Sequence, residues 1–287
     1  MFMLWVQLIV QGFLLGSLYM LLSLGLNAVY GILKAVNYAH GTFVMLGAYT
    51  AYWLFVLFGI NPYISVVLAA LLSALIGALG YELFVKPFIG RPNFGSIALI
   101  TTYGLALVLI NTARYLWTDV LRGIRLVEAP ISIGDISISR PYLYGGCIAI
   151  GIAIIFYFFI EHTRLGKAIR ATSQDRIAAM LMSINTDRLS RLVYTIGVGL
   201  GGAAGALISP IFAISPEGGA VLGLKAIMVV IIGGLGSYIG CVIGGLLLGF
   251  SEVFGAFLLG ASNQPLIYLL TFAIVLALRP SGIMGEK

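Results

Sequence analysis

Polar groups that could do chemistry are sparse in this chain: sixteen Lys and Arg, ten Asp and Glu, and two His among 287 residues. Glu82 and Glu252 are the acids nearest to hydrophobic runs. A carboxylate inside a membrane is a functional site by default. Glu82 has Lys86 four residues on as a ready partner, whereas Glu252 falls inside the apolar 242–259 run, where a proton-relay reading stays open. His40 has no second ligand at metal-site spacing, so it reads as an interfacial or packing residue, although Asn37 and His40 form the densest polar pair of the first half. Cys147 and Cys241 lie in hydrophobic runs without partner spacing and read as small packing residues, with neither a disulfide nor a metal implied. A phosphate-binding G-x-x-x-x-G-K-[ST] loop, a His pair four apart, and a nucleophile beside a base are all missing from the sequence. An enzyme with its own cofactor is therefore not expected.

Charge gathers in one place. Between 161 and 191 stand Arg164, Lys167, Arg170, Arg176, Arg188 and Arg191, opposed by Glu161, Asp175 and Asp187. The positive-inside bias puts this loop in the cytoplasm. Thr172 to Asp175 resembles a capping box that opens a helix running to about Ile184, where Asn185 can stop it. Ile177, Leu181 and Ile184 then share a face beside Arg170 and Arg176. Two readings stay open: insertion of that face into a groove on another protein, or an amphipathic helix resting on lipid headgroups.

The elements that must position these groups follow from composition. With 61% hydrophobic and 9% charged residues and a mean hydropathy of +1.09, the chain exceeds what a soluble core can hide and reads as an all-α, polytopic transmembrane bundle. Spans are expected at roughly 5–32, 38–58, 63–84, 95–117, 141–160, 190–213, 237–258 and 263–279, which makes eight. A ninth apolar piece, Leu222 to Ile232, is too short to cross comfortably and reads as a half-helix meeting a Gly233-Gly234-Leu235-Gly236 break. The net charge of +6 sets topology rather than a polyanion partner, because eleven of the sixteen basic residues fall in segments that alternate to one side. Alternation places 85–94 inside, 118–140 and the N-terminus outside, and a C-terminus inside only if the short piece also crosses, so eight and nine crossings both stay open. The first apolar run has no basic residue before it and exceeds the length of a cleavable signal.

Residues 131–139 alternate apolar and polar about Gly134-Asp135, the pattern of a small external β-hairpin, with an irregular loop as the alternative. Glycine numbers 37, much of it spaced by four (Gly197, Gly201, Gly205; Gly236, Gly240, Gly244), which lets helix backbones approach closely in lipid. Two glycine-interrupted segments stand at corresponding places in the halves: Asn37 to Gly41 and Gly233 to Ser237. Such breaks mark a translocation pathway, so Asn37, His40, Gly41, Gly233, Gly234, Gly236 and Ser237 are the candidate pathway residues.

Gly16-Ser17-Leu18-Tyr19, Leu24-Gly25-Leu26, Tyr30-Gly31, Asn37, Ala39-His40-Gly41, Met45 and Gly47-Ala48-Tyr49 together resemble the signature of LivH-type permeases, the membrane subunits of branched-chain amino acid ABC importers. Thr163 to Arg176, continued through Met182 to Asn185, looks like the family's cytoplasmic coupling loop, and Gly233 to Ser237 with Gly244-Gly245 and Leu248-Gly249 looks like its C-terminal signature. The resemblance covers nearly the whole chain as one permease domain. It implies a second homologous permease, two cytoplasmic ATPase subunits that bind the ATP, a solute-binding protein outside, and a place in the bacterial inner membrane. It also implies ATPase-coupling roles for Gly166, Arg170, Asp175, Arg176, Ile177, Leu181 and Ile184. The chain departs from the family at Ser183, where Gly is common, and at Ile177, where an acid is common. Branched-chain and other apolar amino acids, amides and urea all stay open as solutes. From another class, an ion-coupled transporter would use Glu252.

Overall fold

The computed structural model describes residues 2–124, 126, 129–133 and 136–285. The longest apolar run folds as α1 (Phe2–Leu33), and at 1.5 Å per residue its 32 residues extend about 48 Å. Leu15, Leu18, Tyr19, Leu21, Leu22 and Leu24 are all buried, so α1 forms the spine of the bundle. Around it stand α2 (His40–Phe58), α3 (Pro62–Gly80), α4 (Phe94–Trp117), α5 (Arg140–His162), α6 (Arg164–Gln174), α7 (Arg176–Leu181), α8 (Thr186–Ile208), α9 (Gly218–Gly233), α10 (Tyr238–Leu259) and α11 (Gln264–Leu278). Among the described residues seven helices are long and apolar enough to cross a membrane, α3 being prolonged to Phe88. The expected span at 263–279 is the shorter α11, and the half-helix extends beyond 222–232 to become α9; both are apolar. The protein is an integral membrane protein, a polytopic helix bundle.

Small residues set how closely these helices approach. A Cβ at Gly25 would stand 2.0 Å from the Gly197 carbonyl of α8, one at Gly47 2.0 Å from that of Gly202, and one at Gly249 2.3 Å from the backbone of Gly16. Contacts this close are available only to glycine, and in lipid they supply the packing that apolar burial cannot. The ladder reading therefore holds for α8 and α10, while a Cβ at Gly236 would meet no neighbour and this glycine serves a turn instead, at φ +88°. Cys241 packs in the core, but Cys147 is exposed; both are free thiols.

Two ends of the bundle are distinct. At the hairpin end, Ile131–Ile133 (β1) pairs antiparallel with Ile136–Ile138 (β2), Ile131 opposite Ile138, as the alternation predicts; the Gly134-Asp135 turn lies outside the described residues. At the same end Arg122 exchanges backbone hydrogen bonds with Ile214. The opposite, arm end carries α6 and α7. There Glu82 bonds Lys86 at 2.5 Å, as its spacing predicts, and faces Arg191 at 3.4 Å.

Candidate functional site

The first break lies deep. After α1, Lys34 takes a left-handed φ of 51° and the chain turns back into the bundle before α2 begins. The His40 ring nitrogen Nε2 sits 2.8 Å from the Leu22 carbonyl, eleven residues short of the end of α1, or about 16 Å along its axis. Tyr38 donates its backbone N–H to Thr102 Oγ1, well inside α4. Asn37 caps the turn by accepting from Ala39 N–H, beside the buried Tyr194 hydroxyl. Asn37 and His40 are both buried, so they brace the break rather than line an open space. Gly41 does the same: a Cβ there would meet Gly219 O at 2.1 Å and Gly223 Cα at 2.5 Å, which seats α2 directly on α9.

The second break is held by a residue that sequence reasoning missed. Asn27 of α1 accepts from Gly236 N–H at 2.7 Å and donates Nδ2–H to the Ser237 carbonyl at 3.0 Å, as a strand neighbour would. Ser237 caps α10 through Gly240 N–H, Gly233 packs against Gly240, and the tail after α11 covers the turn through Ile283 and Met284 N–H donated to Ile232 and Gly233 carbonyls. Both breaks are thus fastened to α1. Asn27 and Gly236 share a crevice of about 80 Å³ with Arg170 and Ser173 of α6, which brings the arm to within one side chain of the break.

A larger groove, about 440 Å³, runs between α2, α4 and α9. Tyr38 and Tyr103, edge to face at 5.0 Å, stand with Thr42 on its walls, opposite Val221, Leu224 and Ile227. Towards the hairpin end Arg114 of α4 bonds Glu217, just before α9, across the groove, and Arg114 also holds Asp119 at 3.0 Å. Ile227 also borders a smaller crevice, about 80 Å³, walled by Tyr30, Val36 and Leu235. Space is therefore wide on one side of Ile227 and tight on the other. Of the seven candidate pathway residues, none lines the groove; they hold the helices that do.

Glu252 is not a lone carboxylate. Lys225 Nζ donates to its two oxygens at 2.7 and 2.8 Å and to Tyr19 Oη at 2.7 Å, while Tyr19 (2.6 Å) and Gln264 (2.8 Å) donate to the carboxylate. Lys225 is 7% exposed and Glu252 1%. The rings of Tyr19, Tyr268 and Phe212 surround the ammonium within 5.6 Å of its nitrogen. This satisfied pair removes the unpartnered acid on which the proton-relay reading stood, and it puts fixed charge where the 222–232 run reads as apolar. A lysine within an apolar helix, matched to the one acid within another, was the available signal.

The arm departs from its expected form. Thr163 caps α6 by accepting from Gly166 N–H, because the chain leaves α5 there; Thr172, expected to open the next helix, is instead buried within α6. Asp175 breaks the helix in extended geometry and caps α7 through Ile177 and Ala178 N–H. Asn185 opens α8 rather than closing the preceding helix. Ile177, Met180, Leu181 and Met182 form the exposed apolar tip, with Leu181 81% exposed, whereas Ile184 packs inward near Ile32 and Leu189. Arg170 and Arg176 do not project: Arg170 bonds Glu161 and the Ile160 carbonyl, and Arg176 bonds Asp187 and Ser190. Gly166 is a close-packing position, its Cβ site 2.1 Å from the Ile160 carbonyl.

Comparison with known proteins agrees over almost the entire length. The family described as branched-chain amino acid transport system, permease component, matches residues 8–278. The high-affinity branched-chain amino acid transport system permease protein LivH of Salmonella typhimurium is 30% identical, with 99% of this chain and 97% of LivH aligned. BraD of Pseudomonas aeruginosa, a permease protein of the same description, is 30% identical over 98% of this chain and 96% of its own. LivM of Salmonella typhimurium, also a permease protein, is 26% identical over 77% and 57%. The chain belongs to the family of branched-chain amino acid transport system permease components.

Proposed function

We propose that the chain is the membrane subunit of an ABC importer for branched-chain or related apolar amino acids. It works in the bacterial inner membrane with its arm and C-terminus in the cytoplasm. A second, homologous permease completes the pathway, two ATPase subunits bind the arms, and a solute-binding protein delivers at the hairpin end. The observation that carries this reading is the arm: an exposed apolar tip on two capped helices, outside the lipid-soluble bundle and joined through the Arg170–Asn27 crevice to a helix break. Movement of α6 would reach the 234–237 turn, and with it α9 and α10, through Asn27. The chain itself needs no cofactor, since ATP acts on the ATPase subunits. ATP shifts the bundle only by favouring one conformation over another.

The groove at α2, α4 and α9 suits the solute. Its leucine, isoleucine and valine wall favours an apolar side chain, Thr42, Tyr38 and Tyr103 add hydroxyls, and the charged lining residues Arg114 and Glu217 are paired with each other at its hairpin end. That balance favours an apolar amino acid over urea or an amide. The test is uptake by vesicles holding this chain with and without the ATPase and binding-protein subunits. Accumulation of leucine is expected only with all of them, and accumulation by this chain alone would overturn the assignment.

A further inference from the structure

At the arm end α3 passes into a π-helical turn, Tyr81–Val85, closed by a bond from Lys86 N–H back to the Tyr81 carbonyl five residues earlier. Such turns are rare and frequently stand at functional sites. This one points Tyr81 inward, fully buried, with its ring 5.4 Å from that of Tyr194 on α8. The Tyr81 hydroxyl lies beside Ser190, which accepts from Arg176 Nη1 at 3.3 Å. Tyr194 in turn lies beside Asn37 of the first break. Asp187, the acid paired with Arg176, stands with Ser190 and Tyr194 at i, i+3 and i+7 on one face of α8. The polar row therefore climbs about 10 Å from the arm into the bundle.

The row is not closed. Tyr81 Oη, Tyr194 Oη and Asn37 Nδ2 are buried with no hydrogen-bond partner among the described residues, although each stands next to a group able to pair with it. Ser190 donates to the Thr186 carbonyl at 2.7 Å, and its bond from Arg176 is longer than usual for N–H to O. Arg176 is the first residue of α7, whose tip is exposed, so the arm's hold on Ser190 is weak and comes from the element that a partner would move. Phenylalanine at 81 and 194 would fill the same space without stranding a hydroxyl. A stranded buried hydroxyl destabilises the conformation that contains it. A conformation in which Tyr81 bonds Ser190 and Asn37 bonds Tyr194 is favoured relative to this one by the bonds it gains.

We infer that Tyr81 and Tyr194 are positioning residues that pass movement of the arm to the first break. Displacement of α7 withdraws Arg176 from Ser190, Tyr81 Oη–H donates to Ser190 Oγ, and Asn37 Nδ2–H closes on Tyr194 Oη, shifting the turn that Asn37 caps. The origin of the movement rests on the importer reading. The test uses the full complex in vesicles, with leucine uptake and ATP hydrolysis measured together and the unfolding temperature measured without nucleotide. Tyr81→Phe and Tyr194→Phe are expected to unfold at or above the wild-type temperature, to keep hydrolysis, and to lose about three-fold or more in uptake per ATP. Tyr115→Phe, at an exposed site on α4, should change none of these. A lower unfolding temperature in either variant would show its hydroxyl already bonded in this conformation, and wild-type uptake per ATP would show that movement does not pass through it. Either result overturns the inference. A second measurement needs no transport: with the exposed Cys147 replaced by Ser, thiol labelling of Tyr38→Cys, beside the break, should shift about two-fold when Arg176→Gln frees Ser190. Adding Tyr194→Phe should cancel that shift. Labelling indifferent to Arg176→Gln, or a shift that survives Tyr194→Phe, also overturns the inference. Absence of uptake by the wild-type complex, with labelling coupled as described, would remove the importer reading alone.

Discussion

Lys225 spends its ammonium protons on Glu252 and Tyr19, and Glu252 accepts from Lys225, Tyr19 and Gln264, so the site is satisfied as built. Satisfaction of this kind depends on both charges. Removing one partner of a buried pair costs about 3–5 kcal/mol, whereas replacing both by apolar residues is often neutral. Lys225→Met is therefore expected to lower the thermal unfolding temperature and the membrane abundance of the chain, and adding Glu252→Leu should restore most of both. Equal loss in the single and double variants would mean that the two residues do not act as a pair. Asn27 makes a second residue-scale prediction. Asn27→Leu removes both bonds to the 236–237 turn, so protease cleavage in that turn should rise while the variant still inserts.

At the scale of elements, the arm owes its shape to two caps. Thr163 starts α6 and Asp175 restarts the helix as α7, turning the tip outward. Thr172 offers a hydroxyl just as Thr163 does. The tertiary difference is that α5 ends at His162, leaving the first N–H groups of α6 beside Thr163 and none beside Thr172. Loss of the Asp175 cap frays the first turn of α7. Asp175→Ala is expected to leave the unfolding temperature nearly unchanged and to weaken solute-stimulated ATP hydrolysis. Leu181→Glu sets a charge on the exposed apolar tip and should reduce co-purification of the ATPase subunits without affecting insertion. Normal co-purification with Leu181→Glu would remove the tip from the coupling surface.

Across the whole molecule, the groove is wide on the hairpin side of Ile227 and narrow on the arm side, with Arg114–Glu217 spanning its wide end. The pair is solvent-exposed, so water and salt screen it and it opens at little cost; Arg114 keeps Asp119 when Glu217 leaves. Replacing both by cysteine should give oxidised vesicles that take up no solute and regain uptake on reduction. Uptake unaffected by the cross-link would place the pathway elsewhere. The sequence by itself determined the membrane class, the hairpin, the glycine packing and the family, because hydropathy, alternation and glycine spacing are local or nearly local signals. It also marked both helix breaks. What those breaks do was decided by tertiary structure: His40 reaches Leu22, Asn27 reaches Gly236 and Lys225 reaches Glu252 only when helices distant in the chain are packed side by side. A polar side chain in lipid must find its partner within the protein, and sequence spacing does not name that partner when it stands on another helix.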